Sequence, residues 1–426
     1  MNSLKKKGKR SFNIVLLFIY IYNIAFAFLP LLFRTRIILG LYGITKELSF
    51  KKKIDQIVIN IVGLNLLFVI SNVMSSLASG YFDFWFSQHA ILNILYLFGG
   101  IYIAKRFSSI GSIESFFGII VWVITLHNIL ALIAFLYPPL GDLFINIQKM
   151  GSEDSGGYMS TIVFRSRFLG LGIGSFFTGG IISGLGVILT FYLIKVRYFK
   201  ALKGTLIILI LLGTGLFIAR TSIIGLIGLF LLMNRNNYKL ALNIIIKTII
   251  LGGIIGGIIY AYLPEDLPIE WAFEVFINIF SSDKIETSST NELIKMWVLP
   301  TDISTWLLGD GLFSNPDGTY YMHTDVGYLR IIYCLGLVGL LVFAINQAYL
   351  MVIVPKLCKA LNNLVFVLAV YIIILNIKGF AEINFLFYLI IGYLINHRTR
   401  IPLNESSYKC NITSLQRGNY YCRNNK

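Results

Sequence analysis

A histidine, an aspartate and an arginine stand just ahead of an apolar run in the stretch "HTDVGYLRIIYCLGLVG", residues 323–339. A histidine can take up or release a proton near neutral pH, and an arginine can neutralise an anion. We expect a helix to begin near Thr324. His323, Gly327 and Arg330 would then follow i, i+4, i+7 spacing and lie on one helical face. The stretch predicts one wall of an outward-facing site for an anionic ligand, with His323 as general base.

Asp325 belongs to the same cluster, and two interpretations of its side chain stay open. As a catalytic group, the carboxylate would orient the histidine or the bound ligand. As a structural group, it would complement the positive N-terminal end of the following helix.

Arg220 interrupts two apolar runs in "LGTGLFIARTSIIGLIGLF". Only 31 residues separate Lys203 from Arg235, whereas two full crossings of a membrane need about 40 residues. We therefore expect a short hairpin whose tip, Arg220, lies below the membrane surface. An arginine there normally faces a cavity or an anionic partner. The alternative is that its side chain extends to the lipid headgroups.

Two more arginines, Arg165 and Arg167, precede an apolar run in "FRSRFLGLG". They are candidates for the same anionic ligand, or they anchor lipid phosphates at the end of a span. The remaining cations on the expected outer side have the pattern of ordinary surface charges: Arg34, Arg36, Lys284, Lys295 and Lys378.

The elements that must position these residues are membrane helices. Hydrophobic residues make up 57% of the 426-residue chain and charged residues 13%, far below the usual fraction of about 25%. Apolar runs extend from end to end and predict an all-α protein with about twelve transmembrane helices in a single domain, 1–426. The runs are 12–33, 36–48, 56–78, 87–104, 115–137, 168–194, 204–219, 221–233, 248–263, 328–354, 362–377 and 382–396.

The basic residues predict the orientation of these helices. With a cytoplasmic N-terminus, 26 of the 36 Lys and Arg residues fall in cytoplasmic segments, where such residues are retained. Both termini are then cytoplasmic, residues 397–426 form a cytoplasmic tail, and residues 264–326 form a large outer loop. The net charge of +16 reflects this topology, and the absence of a separate basic domain argues against nucleic-acid binding.

Metal and cofactor chemistry has little support in the sequence. The four histidines are dispersed without an HExxH motif, and the four cysteines have no CxxC spacing. The stretch "DGLFSNPDG" lacks the alternating acidic ligands of a calcium loop. We therefore predict no metal and no cofactor.

Three stretches in order, "ARTSIIGLIGLF", "LLGDGLF" and "HTDVGYLRIIYCLGLVGLL", resemble the bacterial O-antigen and polysaccharide repeat-unit polymerases of the Wzy type, and more distantly the O-antigen ligases. The resemblance covers about residues 205–345, and "RFLG" at 167–170 extends it upstream. It implies a glycosyltransferase of the bacterial inner membrane. Such proteins work on the periplasmic face and join glycans carried on undecaprenyl diphosphate.

The resemblance also implies roles for individual residues. Arg220 and Arg167 would face the lipid diphosphate, and His323 would lie near the acceptor hydroxyl. Ligase-like relatives carry an arginine before a tryptophan in the large loop, where "NELIKMW" has only Lys295. The implied partners are a lipid-linked glycan donor and acceptor, membrane lipid, a chain-length regulator and a flippase. Two alternatives stay open, a lipid-linked oligosaccharide flippase and an O-antigen ligase.

Overall fold

The structure is a computed structural model, and the residues it describes are 2–30, 33–49, 54–109, 111–148, 167–168, 170–172, 176–232, 239, 242–244, 246–247, 250, 274 and 288–398. Within these residues the chain is helical and contains no β-strand, only two isolated bridges. The predicted all-α class is confirmed for the described part of the chain.

The α-helices of the described segments follow one another along the chain. They are α1 (Asn2–Tyr22), α2 (Thr35–Ser49), α3 (Gln56–Ser79), α4 (Trp85–Phe107), α5 (Ile113–Leu136), α6 (Pro138–Ile147), α7 (Phe176–Lys195), α8 (Ala201–Ile218), α9 (Ile227–Leu232), α10 (Ser288–Lys295), α11 (Ile303–Leu308), α12 (Gly327–Leu357), α13 (Asn362–Lys378) and α14 (Asn384–Arg398). Three 3-10 segments accompany them, Arg220–Leu226, Tyr321–His323 and Lys359–Leu361.

Seven helices of the described chain are long and apolar enough to cross a membrane: α3, α4, α5, α7, α8, α12, and α13 together with the 3-10 turn before it. Shorter apolar helices cover Ser11–Tyr22, Arg220–Leu232 and Asn384–His397. The chain is therefore an all-α membrane protein. Apart from residue 250, the run 248–263 lies outside the described residues. The same is true of residues 264–287 of the predicted loop 264–326, apart from Glu274. Twelve crossings therefore stay a prediction.

The first apolar run does not form one helix over residues 12–33, as its length predicts. Helix α1 ends at Tyr22, and Asn23 takes a left-handed φ of 48°. The carbonyl oxygens at this helix end accept hydrogen bonds from Arg36, whose Nε and Nη2 bind the carbonyls of Tyr20 and Ile21 at 2.8 and 2.6 Å. The buried helix end is thus satisfied by a side chain from α2, and the chain can turn there.

Helix α7 is the most enclosed of the candidate spans in the described chain, and it positions the segment that begins at Arg220. A side chain on Gly225 would lie 2.5 Å from the carbonyl oxygen of Gly184, so the two backbones are in direct contact. Small residues permit this close approach between membrane helices. The contact holds Arg220–Leu226 against α7 in a 3-10 conformation rather than as the start of a full-length helix.

Helix α12 is interrupted at Gly336, which has φ 66° and ψ −168°. The carbonyls of Tyr333 and Cys334 accept hydrogen bonds from the backbone N–H groups of Asp310 and Gly311, at 2.6 and 3.2 Å. The Ser75 hydroxyl also donates to the Cys334 carbonyl, at 2.6 Å. The loop stretch "LLGDGLF" is therefore joined to the interruption in the membrane helix.

The described contacts identify two ends of the helix bundle. At one end, which we call the site end, Asp83 accepts hydrogen bonds from the backbone of Phe313 and Ser314. At the other end, Lys105 pairs with Glu47 at 2.8 Å. The site end carries the loops that the charge distribution predicts on the outer side. Which end faces the cytoplasm stays a prediction.

Candidate functional site

Arg220 begins the 3-10 segment at the site end and is 8% exposed. Its Nη1 lies 2.5 Å from Oε2 of Glu274. The preceding residue, Ala219, is fully extended, and its N–H donates to the Gly215 carbonyl at the end of α8. The guanidinium is thus held on a rigid, buried turn and is paired with a carboxylate.

Arg167 lies beside this turn. The N–H of Phe168 donates to the Phe217 carbonyl at 3.4 Å, and the rings of these two residues stack with centroids 4.6 Å apart. The Arg167 guanidinium lies 4.0 Å from the centroid of Phe176. Burial lowers the pKa of Arg167, and the positive charge of Arg220 lowers it further. Two cations from separate segments therefore act on one another.

Lys378 is a third cation in this group, although its position at the end of a span predicted an ordinary surface charge. It interacts electrostatically with Arg220, Arg167 and Asp325. A side chain on Gly327 would lie 2.6 Å from the Gly379 carbonyl oxygen, so the end of α13 lies against the start of α12. That contact joins residues 52 positions apart, and no local sequence signal indicates it.

Arg330 is the fourth cation and is 8% exposed. Its guanidinium carbon lies 3.7 Å from the ring centroids of both Phe313 and Tyr320, whose planes are 71° apart, so the cation contacts two rings. Phe313 in turn stacks on Trp85, with centroids 3.8 Å apart and planes within 8°. The sequence indicated Arg330 but not its aromatic partners, which lie 17 and 10 residues earlier in the segment between α11 and α12.

Asp325 supplies the carboxylate nearest to Arg330, with 3.7 Å between its Oδ1 and Nη1 of the arginine. Burial raises the pKa of the Asp325 carboxyl group, and the charges of Arg330 and Lys378 act in the opposite direction. Val326, not Asp325, is the N-cap residue of α12, and no side chain makes a capping bond there. Asp325 therefore makes no capping hydrogen bond, and both interpretations of its side chain, catalytic and structural, stay predictions.

The predicted helical spacing of His323 with Gly327 and Arg330 is wrong. Helix α12 begins at Gly327, and His323 ends a separate 3-10 turn with a left-handed φ of 49°. Its side chain is exposed. Hydrogen bonds from Thr319 lower the pKa of Asp317, and the charge of His323 adds to this effect. The histidine thus belongs to the exposed turn that precedes the helix, and its role as a base stays a prediction.

Lys295 does not join the four cations. Lys295 is 72% exposed on α10 and pairs with Glu292 at 2.8 Å. Arg165 lies outside the described residues.

The sequence interpretation did not identify a partly buried polar cluster at the site end. The Oε2 atom of Glu382 lies 2.8 Å from His89 Nε2, and it accepts hydrogen bonds from Asn93 at 2.8 Å and Asn384 at 2.9 Å. The His89 ring stacks on Trp85, with centroids 5.1 Å apart. The cluster therefore continues the stack that holds Arg330. Its members come from α4, from the start of α14 and from the segment just before it, so no local motif marks them.

No described group of three or more His, Cys, Asp or Glu residues could hold a metal ion. The arrangement instead offers fixed positive charge from Arg167, Arg220, Arg330 and Lys378. Such charge can bind an anion and stabilise negative charge that develops on a leaving group.

Comparison with known proteins adds no assignment. No family model, no curated protein and no solved structure matches the chain. The fold and the site define the chain as an all-α membrane protein with a cationic cluster at one end of the helix bundle.

Proposed function

We propose that the protein is a glycosyltransferase that joins oligosaccharide repeat units carried on a polyprenyl diphosphate, a polysaccharide polymerase. One observation carries this proposal: four cations from separate segments converge at the site end. Two described carboxylates act on these cations, Asp325 and Glu274. A diphosphate is an anion that a cluster of cations can bind, and the resemblance in sequence suggests the same ligand.

Each cation has a distinct part in this proposal. Arg220 has the planar fork that binds two oxygens of a phosphate at once, whereas Lys378 supplies a point charge. Arg330, in contact with two rings, loses little conformational freedom on binding. Together they would neutralise the departing diphosphate in a partly dehydrated site without a metal ion. Lys295 and Arg165 would contact the substrate at the edge of the site.

Glu274 competes with the substrate in this scheme. Its carboxylate pairs with Arg220 at 2.5 Å. A bound diphosphate would displace it, because both anions need the same guanidinium nitrogen.

The proton step is assigned to the turn before α12. The acceptor hydroxyl loses its proton to His323, and its oxygen forms a bond to the anomeric carbon as the bond to the diphosphate breaks. This direct displacement inverts the configuration at that carbon. The lone pair of a neutral imidazole takes up the proton, and Asp325 orients the histidine or the sugar.

The cellular setting follows from the same proposal. The site end faces the periplasm of the bacterial inner membrane, both termini are cytoplasmic, and the donor and acceptor are glycans on undecaprenyl diphosphate. A flippase supplies the substrate, and a chain-length regulator limits the product.

The test is polymerisation by the purified protein, given lipid-linked repeat units in the presence of EDTA. Arg220→Ala should remove most activity, and Arg220→Lys should retain a small part because the charge remains without the fork. His323→Ala should lower turnover by roughly 10²-fold while leaving donor affinity nearly unchanged. Lys105→Ala, at the opposite end of the bundle, is the matched control. Full activity in both Arg220→Ala and His323→Ala would overturn the proposal.

A flippase for lipid-linked oligosaccharides is the second candidate, and the His89–Glu382 pair favours it. Paired titratable groups within membrane proteins often belong to proton-coupled transport, and this pair is partly buried. The glycans of cells that lack the gene separate the possibilities. Single-repeat chains indicate a polymerase, and lipid-linked glycan that accumulates inside indicates a flippase. Loss of surface glycan with accumulation outside indicates a ligase.

A further inference from the structure

A cavity of about 440 Å³ lies at the site end, between the end of α3 and the segment that leads from α10 to α12. Its volume falls within the roughly 300–1,000 Å³ of small-molecule sites. The lining includes carboxylates, hydroxyls and tyrosine rings, and neither lysine nor arginine is among the lining residues. Its polar lining residues include Asp302, Ser304, Thr305, Asp310, Tyr321 and Tyr333.

This lining differs in chemistry from the cationic cluster. A carboxylate repels an anionic ligand but accepts hydrogen bonds from ligand hydroxyl groups. Tyrosine rings present flat faces to the C–H surface of a ring-shaped ligand and a polar tip to its hydroxyls. The lining therefore selects a neutral, polyhydroxylated ligand, which is the chemistry of a saccharide.

Asp310 is the best-oriented acceptor in the cavity. Thr305 donates to its Oδ1 at 2.6 Å, and the Tyr321 hydroxyl donates to its Oδ2 at 3.1 Å. A carboxylate has about four acceptor positions, so the carboxylate of Asp310 retains capacity for a ligand. Burial raises the pKa of Tyr321 to about 12, and the charge of Asp310 acts in the same direction. Tyr321 thus stays protonated and keeps Asp310 in place.

The floor of the cavity is built on the interruption in α12. Asp310 donates through its N–H to the Tyr333 carbonyl, and the Tyr333 hydroxyl donates to the Val298 carbonyl at 3.0 Å. Fixed groups lose little freedom on binding, which favours affinity. The interruption of α12 at Gly336 therefore also fixes the position of the Asp310 carboxylate at the cavity.

The cavity adjoins the cationic cluster. Tyr333 follows Arg330 by three residues on α12, a spacing that places both on one side of the helix. Tyr321, which lines the cavity, follows Tyr320, which stacks on Arg330. A ligand with a saccharide next to a diphosphate can therefore reach both sites at once.

We propose that this cavity is a saccharide subsite that binds the sugar part of the substrate, while its diphosphate binds the four cations. The inference rests on the proposed function for the identity of the whole substrate. The inference that the cavity binds a saccharide depends only on the chemistry of its lining residues.

The test uses the purified full-length protein and two separate probes. One is the oligosaccharide released by mild acid from the lipid-linked repeat units of cells that carry the gene, and the other is inorganic pyrophosphate. Calorimetry should show saturable binding of both. Asp310→Asn should weaken oligosaccharide binding about 10-fold or more, the effect of a lost hydrogen bond to a charged group, and leave pyrophosphate binding unchanged. Arg220→Ala should do the reverse.

Asp317→Asn is the matched control, because it removes a carboxylate from the same loop outside the cavity. Tyr321→Phe keeps the ring and should weaken oligosaccharide binding by a smaller factor. This second variant tests the cavity even if Asp310→Asn fails to fold. Oligosaccharide binding that is absent from the wild type, or equal in Asp310→Asn and Asp317→Asn, overturns the saccharide subsite. Oligosaccharide binding through Asp310 in a protein that does not polymerise would support the saccharide subsite and contradict only the proposed polymerase activity.

Discussion

Replacing Gly336 with alanine should separate the "LLGDGLF" loop from α12 and destabilise the site end. An added Cβ at Gly336 would lie 2.2 Å from the Leu307 carbonyl oxygen, where an ordinary contact needs at least 3.4 Å. The obstructing atom belongs to the backbone, so no side-chain rotation can make room. The loop must therefore move away from the helix by about 1 Å.

The cost follows from two effects. The φ of 66° and ψ of −168° belong to a region used almost only by glycine, and alanine there costs about 1–3 kcal/mol. The displacement also stretches the two hydrogen bonds that join Asp310 and Gly311 to α12, each worth roughly 1 kcal/mol. We expect a total of about 3–5 kcal/mol. Gly309→Ala should behave alike, since its Cβ would lie 2.5 Å from the Cys334 carbonyl carbon.

Gly318→Ala is the matched control for backbone strain. Gly318 also has a left-handed φ, of 81°, but an added Cβ there meets no atom within 4 Å. Its cost should be only the strain of the backbone, about 1–2 kcal/mol. The measurement is the unfolding of each purified variant in detergent, by heat or by denaturant. Equal losses in Gly336→Ala and Gly318→Ala would show that the contact between loop and helix does not carry the stability assigned to it.

Three further predictions concern the charged groups of the site end. Glu274→Gln should raise the affinity for inorganic pyrophosphate several-fold, because Arg220 loses a competing carboxylate. Calorimetry measures this affinity, and an unchanged or lower value contradicts the competition. Arg330→Lys should destabilise the protein by about 1 kcal/mol in the same unfolding assay, since an ammonium cannot stack on two rings, and a neutral result argues against the ring contacts. The raised pKa of Asp325 means that its protonated form favours the fold at low pH and that this contribution is lost as pH rises through the folded-state pKa. Asp325→Asn should therefore unfold like the wild type near about pH 4 and at a higher temperature at pH 7, and the opposite order refutes the pKa direction.

Several helices could be predicted closely from hydropathy. The runs 56–78 and 362–377 correspond to Gln56–Ser79 and Asn362–Lys378. These spans follow from local composition, because a membrane helix needs an uninterrupted apolar segment of sufficient length. The same reasoning failed where a distant group changes the local outcome. It extended α1 to residue 33, whereas the Arg36 side chain satisfies the helix end at Tyr22.

In the candidate site, too, some residues could be predicted from the sequence and others could not. Arg167, Arg220 and Arg330 could be selected from sequence because a cation beside or within an apolar run is costly and therefore conspicuous. Lys378, Phe313 and the Glu382 cluster could not. A lysine at the end of a span is common, and its meaning here depends on Arg220 and Asp325, which approach it only after the helices pack.

By itself the sequence determined that the chain is an all-α membrane protein, and it marked the arginines that need an explanation. Both are properties of the local chain, since the free energy of placing a segment in a membrane depends on its own side chains. Only the tertiary structure decided that α12 is broken at Gly336, that Asp310 is fixed at this break, and that Arg330 contacts two rings. These features require backbone groups and side chains from distant segments to satisfy one another, and that pairing is set by packing rather than by hydropathy.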